Sequence, residues 1–133
     1  MAITEEGRQH LLEIANRIRT EPDRFDMEDF YTKNGAHVFP NEWDCDTAAC
    51  IAGWSAVISG DLEDFTATDL AVRTGLSRGE AWILCYDAGV EAASAMPEHL
   101  RAEGMADAVE QVANGVGART ALDDVRTRYA TAH

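Results

Sequence analysis

TAACIAGWSAVISG, Thr47 to Gly60, runs for fourteen residues without one charge in a chain whose formal net charge is −13. The most acidic part of the sequence surrounds it. The chain therefore alternates between a run that must be buried and runs that must be solvated. Ala48, Ala49, Ala52, Gly53, Ser55 and Ala56 keep the stretch thin, so neighbours can approach it closely. The reading is a central helix from about Asp46 to Ser59, capped by Asp46 or Thr47 and stopped by Gly60. A helix that is apolar nearly all round has to be enclosed rather than half exposed.

Working outward, Thr4 caps a first helix that ends near Arg19 before Pro22, with Glu5 and Glu6 at its positive end. Leu11, Ile14, Ala15 and Ile18 form its apolar face. DRFDMEDFY (23–31) reads as a helical turn placing Phe25, Met27 and Phe30 inward. Residues 32–45 read as a loop around Gly35, Pro40 and Asn41, with AHVFP (36–40) as a short extended piece. Downstream, DLEDF leads to a short helix over Ala67–Thr74, ended by Gly75. Ser77 and Glu80 then predict a capping box for a helix reaching about Tyr86. Pro97 suits the start of another helix to about Asn114, with Met105, Ala108, Val109 and Val112 inward. Gly115 and Gly117 break it before a last helix over Thr120–Ala130, where Leu122, Val125 and Tyr129 share a side. The sum is an all-α single domain, residues 1–133, of five to seven helices around a small-residue central helix.

The totals agree with this. At 133 residues with 46% hydrophobic and 26% charged residues, the chain can bury a core without metal or disulfide staples. No charge-free run approaches the ~20 residues that span a bilayer. The start, MAITEEGRQH, is acidic where a secretory signal is basic and then apolar. These features lead us to expect a soluble, cytoplasmic protein whose three cysteines are reduced. Ten Arg against one Lys is the bias of a GC-rich genome. The acidity is concentrated: from Glu21 to Asp69, twelve Asp or Glu stand against Arg24 and Lys33, a net of −10. Such a surface repels nucleic acid and anionic membranes and steers basic partners toward itself. Solubility alone is the plainer explanation of the same charge.

Specific chemistry is harder to find. Cys45 and Cys50, with His37 upstream and Cys85 far downstream, could gather around Zn²⁺, but the spacing is not a C-x₂₋₄-C knuckle and no second pair follows. Zinc deaminases need a Glu after their first ligand and a P-C-x-x-C run; His37 is followed by Val38 and Phe39, so that comparison fails. As a nucleophile, Cys45 gains from a helix start but is opposed by Asp44 and Asp46. No phosphate-binding glycine loop is present, DLEDFTATD lacks an EF-hand's ligand alternation, and no cofactor or catalytic residue is implied. TDLAVRTGLSRGEAWILC (68–85) resembles a helix-turn-helix, with Ala71 and Gly75 four apart, Leu76 after the turn, and Ala81 and Leu84 facing back. Its second helix would show Ser77, Arg78, Gly79, Trp82 and Ile83 beside Glu80, a poor set for reading bases. A corner that packs Trp82 into a core or a partner is the better reading.

DCDTAACIAGW, with FDMEDF upstream and TGLSRGEAW downstream, resembles a family of small proteins from actinobacteria and their phages. That family carries F-D-M, then C-G-T-x-x-C-x-A-G-W or -H, then L-G-L-S-x-x-E-A. The resemblance covers roughly residues 11–85 and departs at Asp46, which replaces Gly, and at Thr74, which replaces Leu. It implies an actinobacterial or phage origin and attaches no activity to any residue.

The functional expectation is a non-enzymatic acidic module that engages a host or phage protein with a basic surface. The face comprises Asp23, Asp26, Glu28, Asp29, Glu42, Asp44, Asp61, Glu63 and Asp64. A helix-turn-helix DNA-binding regulator and a metal- or thiol-dependent enzyme using Cys45, Cys50 and His37 remain open alternatives. For the central helix, a large residue at Gly53 is expected to cost about 1–3 kcal/mol by overpacking. An unchanged Tm in Gly53→Leu would sink that reading.

Overall fold

Residues 51–56 are all buried, and the other elements are arranged to enclose them. The computed structural model describes residues 3–27, 31–33, 36–38 and 48–130. Seven α-helices lie among them: α1 (Glu5–Thr20), α2 (Ile51–Ser59), α3 (Ala67–Thr74), α4 (Arg78–Cys85), α5 (Asp87–Ala95), α6 (Arg101–Ala113) and α7 (Ala118–Ala130). Three short strands, β1 (Tyr31–Lys33), β2 (Ala36–His37) and β3 (Ala48–Ala49), form an antiparallel sheet in the order β2-β1-β3. The fold class is all-α, and helix contacts build the core: α1 packs along α6, α6 against α7, and α1, α3 and α4 all touch α2.

Local chemistry explains the helix ends. Thr4 Oγ1 accepts the Gly7 N–H at 2.9 Å, capping α1. Leu11, Ile14, Ala15 and Ile18 are buried on its inner face. Gly60 adopts φ 80° after α2, and the Asp61 N–H closes back to Ala56 O at 3.1 Å. Gly75 adopts φ 83° and ends α3. Both positions need the left-handed region that glycine enters without steric cost.

Several expectations are corrected. The central helix starts at Ile51 rather than near Asp46, because Ala48 and Ala49 pair with β1 in the registers Thr32↔Ala48 and Tyr31↔Ala49. Ala49 also meets Phe25 in a parallel bridge, and its carbonyl accepts the Asp26 N–H at 3.0 Å. Backbone partners on two sides outweigh alanine's helix propensity there. The cap is Cys50, whose Sγ accepts the Gly53 N–H at 3.5 Å. Of the helical turn expected over 23–31, the described residues show a 3₁₀ turn at Pro22–Arg24 followed by extended backbone at Phe25; 28–30 lie outside the described residues. Met27 is buried, Phe25 is half-buried, and Phe30 lies outside the described residues. The expected loop of 32–45 contributes strands, and the extended piece at 36–40 is in part β2.

Other differences concern caps and one missed helix. Glu80 does not complete a box with Ser77. Ser77 Oγ accepts the Glu80 N–H at 3.1 Å, while the Glu80 carboxylate crosses to the Ala118 N–H at the start of α7, 3.2 Å away. The reciprocal box forms instead between Thr66 and Asp69. Helix α5 was not anticipated, and the Pro97 segment begins as a 3₁₀ turn, Glu98–Leu100, before α6. Trp82 is not in the core; it is 56% exposed.

Where α1 crosses the end of α3, a Cβ added at Gly7 would stand 1.9 Å from Thr74 O. Gly79, on the exposed side of α4, has only Ser77 Oγ within 4.0 Å of the same construction. Gly7→Ala is therefore expected to destabilise by about 1–3 kcal/mol. Gly79→Ala should stabilise by up to about 1 kcal/mol through helix propensity. Thermal melts of both variants check the opposite signs.

Candidate functional site

Two acidic segments far apart in sequence are tied to one strand pair. Tyr31 is wholly buried, yet its hydroxyl donates to Leu62 O at 2.7 Å and its ring meets Phe65 edge-on at 5.4 Å. These contacts seat the 61–65 connector against β1. Tyr31 pairs with Ala49, whose carbonyl holds the Asp26 N–H. Trp54, in the first turn of α2, fixes the same segment through its indole N–H to Arg24 O at 3.1 Å. The Arg24 guanidinium lies 5.5 Å over the Trp54 ring and binds Glu21 at 2.9 Å. Burial raises the Tyr31 hydroxyl well above its ordinary range, so it is a fixed donor at physiological pH.

Asp23, Asp61, Glu63 and Asp64 are exposed, and Asp26 is half-buried. Glu28, Asp29, Glu42 and Asp44 lie outside the described residues. An open groove of about 820 Å³ runs beside Asp23, Phe25, Asp26 and Met27, and its opposite wall comes from Val90 to Ala102. That wall adds Glu98, His99 and Arg101, which the sequence reading did not single out. Arg101 Nε is turned onto Ala93 O at 2.8 Å and Met96 O at 3.2 Å. The carbonyls at the end of α5 thus hold Arg101 at this wall.

The structure also assembles a polar group that sequence spacing hid. His10 Nε2 is 2.7 Å from Ser55 Oγ, and Arg73 Nη1 is 3.2 Å from the same oxygen. They come from α1, α2 and α3. Arg73 can only donate, so the Ser55 hydroxyl accepts from it; toward His10 Nε2 the same hydroxyl donates to a bare ring nitrogen or accepts from an Nε2–H, according to the tautomer. Burial lowers the His10 pKa, the Arg73 cation lowers it further, and Glu13 opposes both. Ser55 is 0% exposed, and its oxygen is covered by half-buried His10 and Arg73. Its role is a polar tie through an otherwise apolar junction.

The helix-turn-helix-like corner is present as α3, Gly75–Ser77 and α4, with Ala71, Leu76, Ala81 and Leu84 buried. Its outer side shows Val72, 80% exposed, and Trp82, whose ring packs on Tyr86 at 4.3 Å. Among the described residues no three His, Cys, Asp or Glu side chains converge as a metal site. Cys45 and the side chain of His37 lie outside that set, while Cys50 is buried as the α2 cap. No helix among the described residues is long and apolar enough to cross a membrane. Compared with protein families, curated proteins and solved structures, the chain matches none.

The His10 tie has a pH signature. Its folded pKa lies below the unfolded value of 6.5. The stability it contributes is complete above 6.5 and is lost as pH falls through the lowered folded value. Urea midpoints should decline across that window in the wild type. His10→Gln should show a shallower decline, and an unchanged slope would remove His10 from the account.

Proposed function

We propose that this chain is a non-catalytic binding module that uses its acidic face to engage a protein with a basic surface. The observation that carries this reading is the convergence of residues 21–27 and 61–65 on the Tyr31–Ala49 pair. Five carboxylates (Asp23, Asp26, Asp61, Glu63 and Asp64) are thereby presented on a braced scaffold rather than on independent loops. Their placement also carries a folding cost. Asp61, Glu63 and Asp64 follow the C-terminus of α2, the negative end of its dipole, and no basic residue occupies its last turn. Charge that folding disfavours fits a role in recognition. The resemblance on the DCDTAAC region adds a setting: a phage- or actinobacterium-encoded protein acting on a host or phage partner in the cytoplasm.

The alternatives have less support. The corner's second helix shows an exposed Trp82 and one arginine, Arg78, which is a weak base-reading set on a chain of net charge −13. Ser55 and Cys50 are buried, so neither is presented to a substrate.

The test is capture from nuclease-treated host lysate with wild type and a variant carrying Asp23→Asn, Asp26→Asn, Asp61→Asn, Glu63→Gln and Asp64→Asn. The expected result is one stoichiometric protein that salt releases and the variant fails to retain, since exposed charge pairs are screened within about 8 Å at physiological ionic strength. A partner held equally by the variant, or insensitive to salt, would overturn the acidic-face reading.

A further inference from the structure

We propose, resting on the acidic-face reading, that the groove between residues 22–27 and 90–102 is where the partner docks. Its occupant is an arginine of the partner protein that stands beside an apolar residue in that chain. The groove encloses about 820 Å³, within the range of roughly 300–1,000 Å³ typical of ligand sites. It therefore admits a short segment of chain. Asp61, Glu63 and Asp64 are exposed on the connector and do not line it.

Each wall brings an exposed carboxylate to the groove, Asp23 from the 3₁₀ turn after α1 and Glu98 from the 3₁₀ turn before α6. Among the described residues neither side chain enters an ion pair or a hydrogen bond. Glu13, Glu21, Asp107, Glu110 and Asp124 differ, since each of them already holds an arginine. Arg101 lines the same groove but is held back from its carboxylates. Its Nε donates to Ala93 O at 2.8 Å and Met96 O at 3.2 Å, and among the described residues its guanidinium joins no ion pair. Two carboxylates that folding leaves without a cation attract one from outside.

The rest of the lining says which cation fits. Phe25 and Val90 are half-buried there, and Met27 and Ala93 are buried. The Phe25 ring enters no ring or cation contact among the described residues, whereas the Trp54 ring already carries Arg24 at 5.5 Å. A guanidinium lays its face on an aromatic ring while its edge forks to carboxylates; a lysine ammonium is a compact, strongly hydrated point charge. An apolar neighbour in the occupant's chain would leave water against Val90 and Met27. Carboxylates around an aromatic and aliphatic lining therefore match an arginine beside an apolar residue better than a run of basic residues, which uses charge alone.

The experiment titrates the ¹⁵N-labelled full chain with acetyl-Leu-Arg-Leu-Arg amide and follows the backbone amides by NMR. Acetyl-Gly-Arg-Gly-Arg amide keeps the charge without the apolar side chains. Acetyl-Leu-Lys-Leu-Lys amide replaces the guanidinium, and acetyl-Leu-Glu-Leu-Glu amide reverses the charge. Two variants accompany the wild type. Ser94→Trp puts bulk into the groove from an exposed position of α5 and changes no carboxylate. Asp23→Asn with Glu98→Gln keeps the shape and removes two charges.

The expected result is saturable shifts at 23–27 and 90–102 with the Leu-Arg peptide, weaker binding of the lysine and glycine peptides, and none of the glutamate peptide. Ser94→Trp should abolish the shifts, and the double variant should weaken binding about 2–30-fold, the worth of two exposed ion pairs. No saturable shift at millimolar peptide would overturn the proposal, as would shifts confined to 61–65, shifts that survive Ser94→Trp, or equal binding of the lysine or glycine peptide. If Ser94→Trp fails to fold, the double variant decides, and unaltered affinity overturns the proposal. The lysate partner separates the groove from the wider acidic face. A partner lost from the variant neutralised at 23, 26, 61, 63 and 64 but held by Ser94→Trp overturns the groove alone; one held by both overturns both readings.

Discussion

The first six residues of helix α2 have no side that meets water, and the rest of the structure follows from that constraint. Ile51, Ala52, Gly53, Trp54, Ser55 and Ala56 are all buried. An apolar helix of nine residues cannot stand against one neighbour and leave its far side exposed. α1, α3 and α4 therefore close on it, and the sheet and the 21–27 segment cover its first turn through Ala49 and Trp54. Small side chains along α2 let these elements come close. Trp54, fully buried, supplies the bulk and spends its single N–H on Arg24 O.

Enclosure imposes a polar accounting, and the described residues meet it. None of their buried side-chain nitrogen or oxygen atoms lacks a partner. Ser55 is matched by His10 and Arg73. Thr74, the other buried polar side chain, donates to Leu70 O at 2.7 Å and accepts the Leu76 N–H at 3.2 Å, which stitches the tight corner after α3. An unmatched hydroxyl at either place would cost about 1–3 kcal/mol. On the outer layer, Arg19 spans from α1 to Asp107 and Glu110 of α6, and Tyr129 of α7 reaches the same Asp107. Three helices thus meet on one carboxylate at the edge of the core.

The acidic face depends on the same enclosure. Its two described segments are the coverings of α2: one braces the helix start, and the other leaves the helix end and folds back onto Tyr31. Their carboxylates point outward because their backbones and aromatic residues are used inward. Recognition surface and core packing are therefore two sides of the same stretches of chain.

Periodicity and caps made most helices legible. Leu11, Ile14, Ala15 and Ile18 recur at helical spacing, Thr4 caps, and Gly60 and Gly75 stop, because such signals act within a few residues and need no distant partner. The acidic segments were visible as composition, and their exposure at Asp23, Asp61, Glu63 and Asp64 follows from charge alone. The start of α2, strands β1 and β3, the groove and the His10–Ser55–Arg73 tie were not legible. Ala48–Ala49 reads as helix until Tyr31 and Phe25 offer it backbone partners. Nothing near His10 in sequence announces a serine 45 residues away. Helix α5 escaped because DAGVEAASA carries few large apolar residues and no strong cap. The sequence by itself determined which residues had to be inside and where short-range signals end each helix, since burial and capping are local free energies. Only the tertiary structure decided which distant groups meet, because those pairings exist only after α2 has been enclosed.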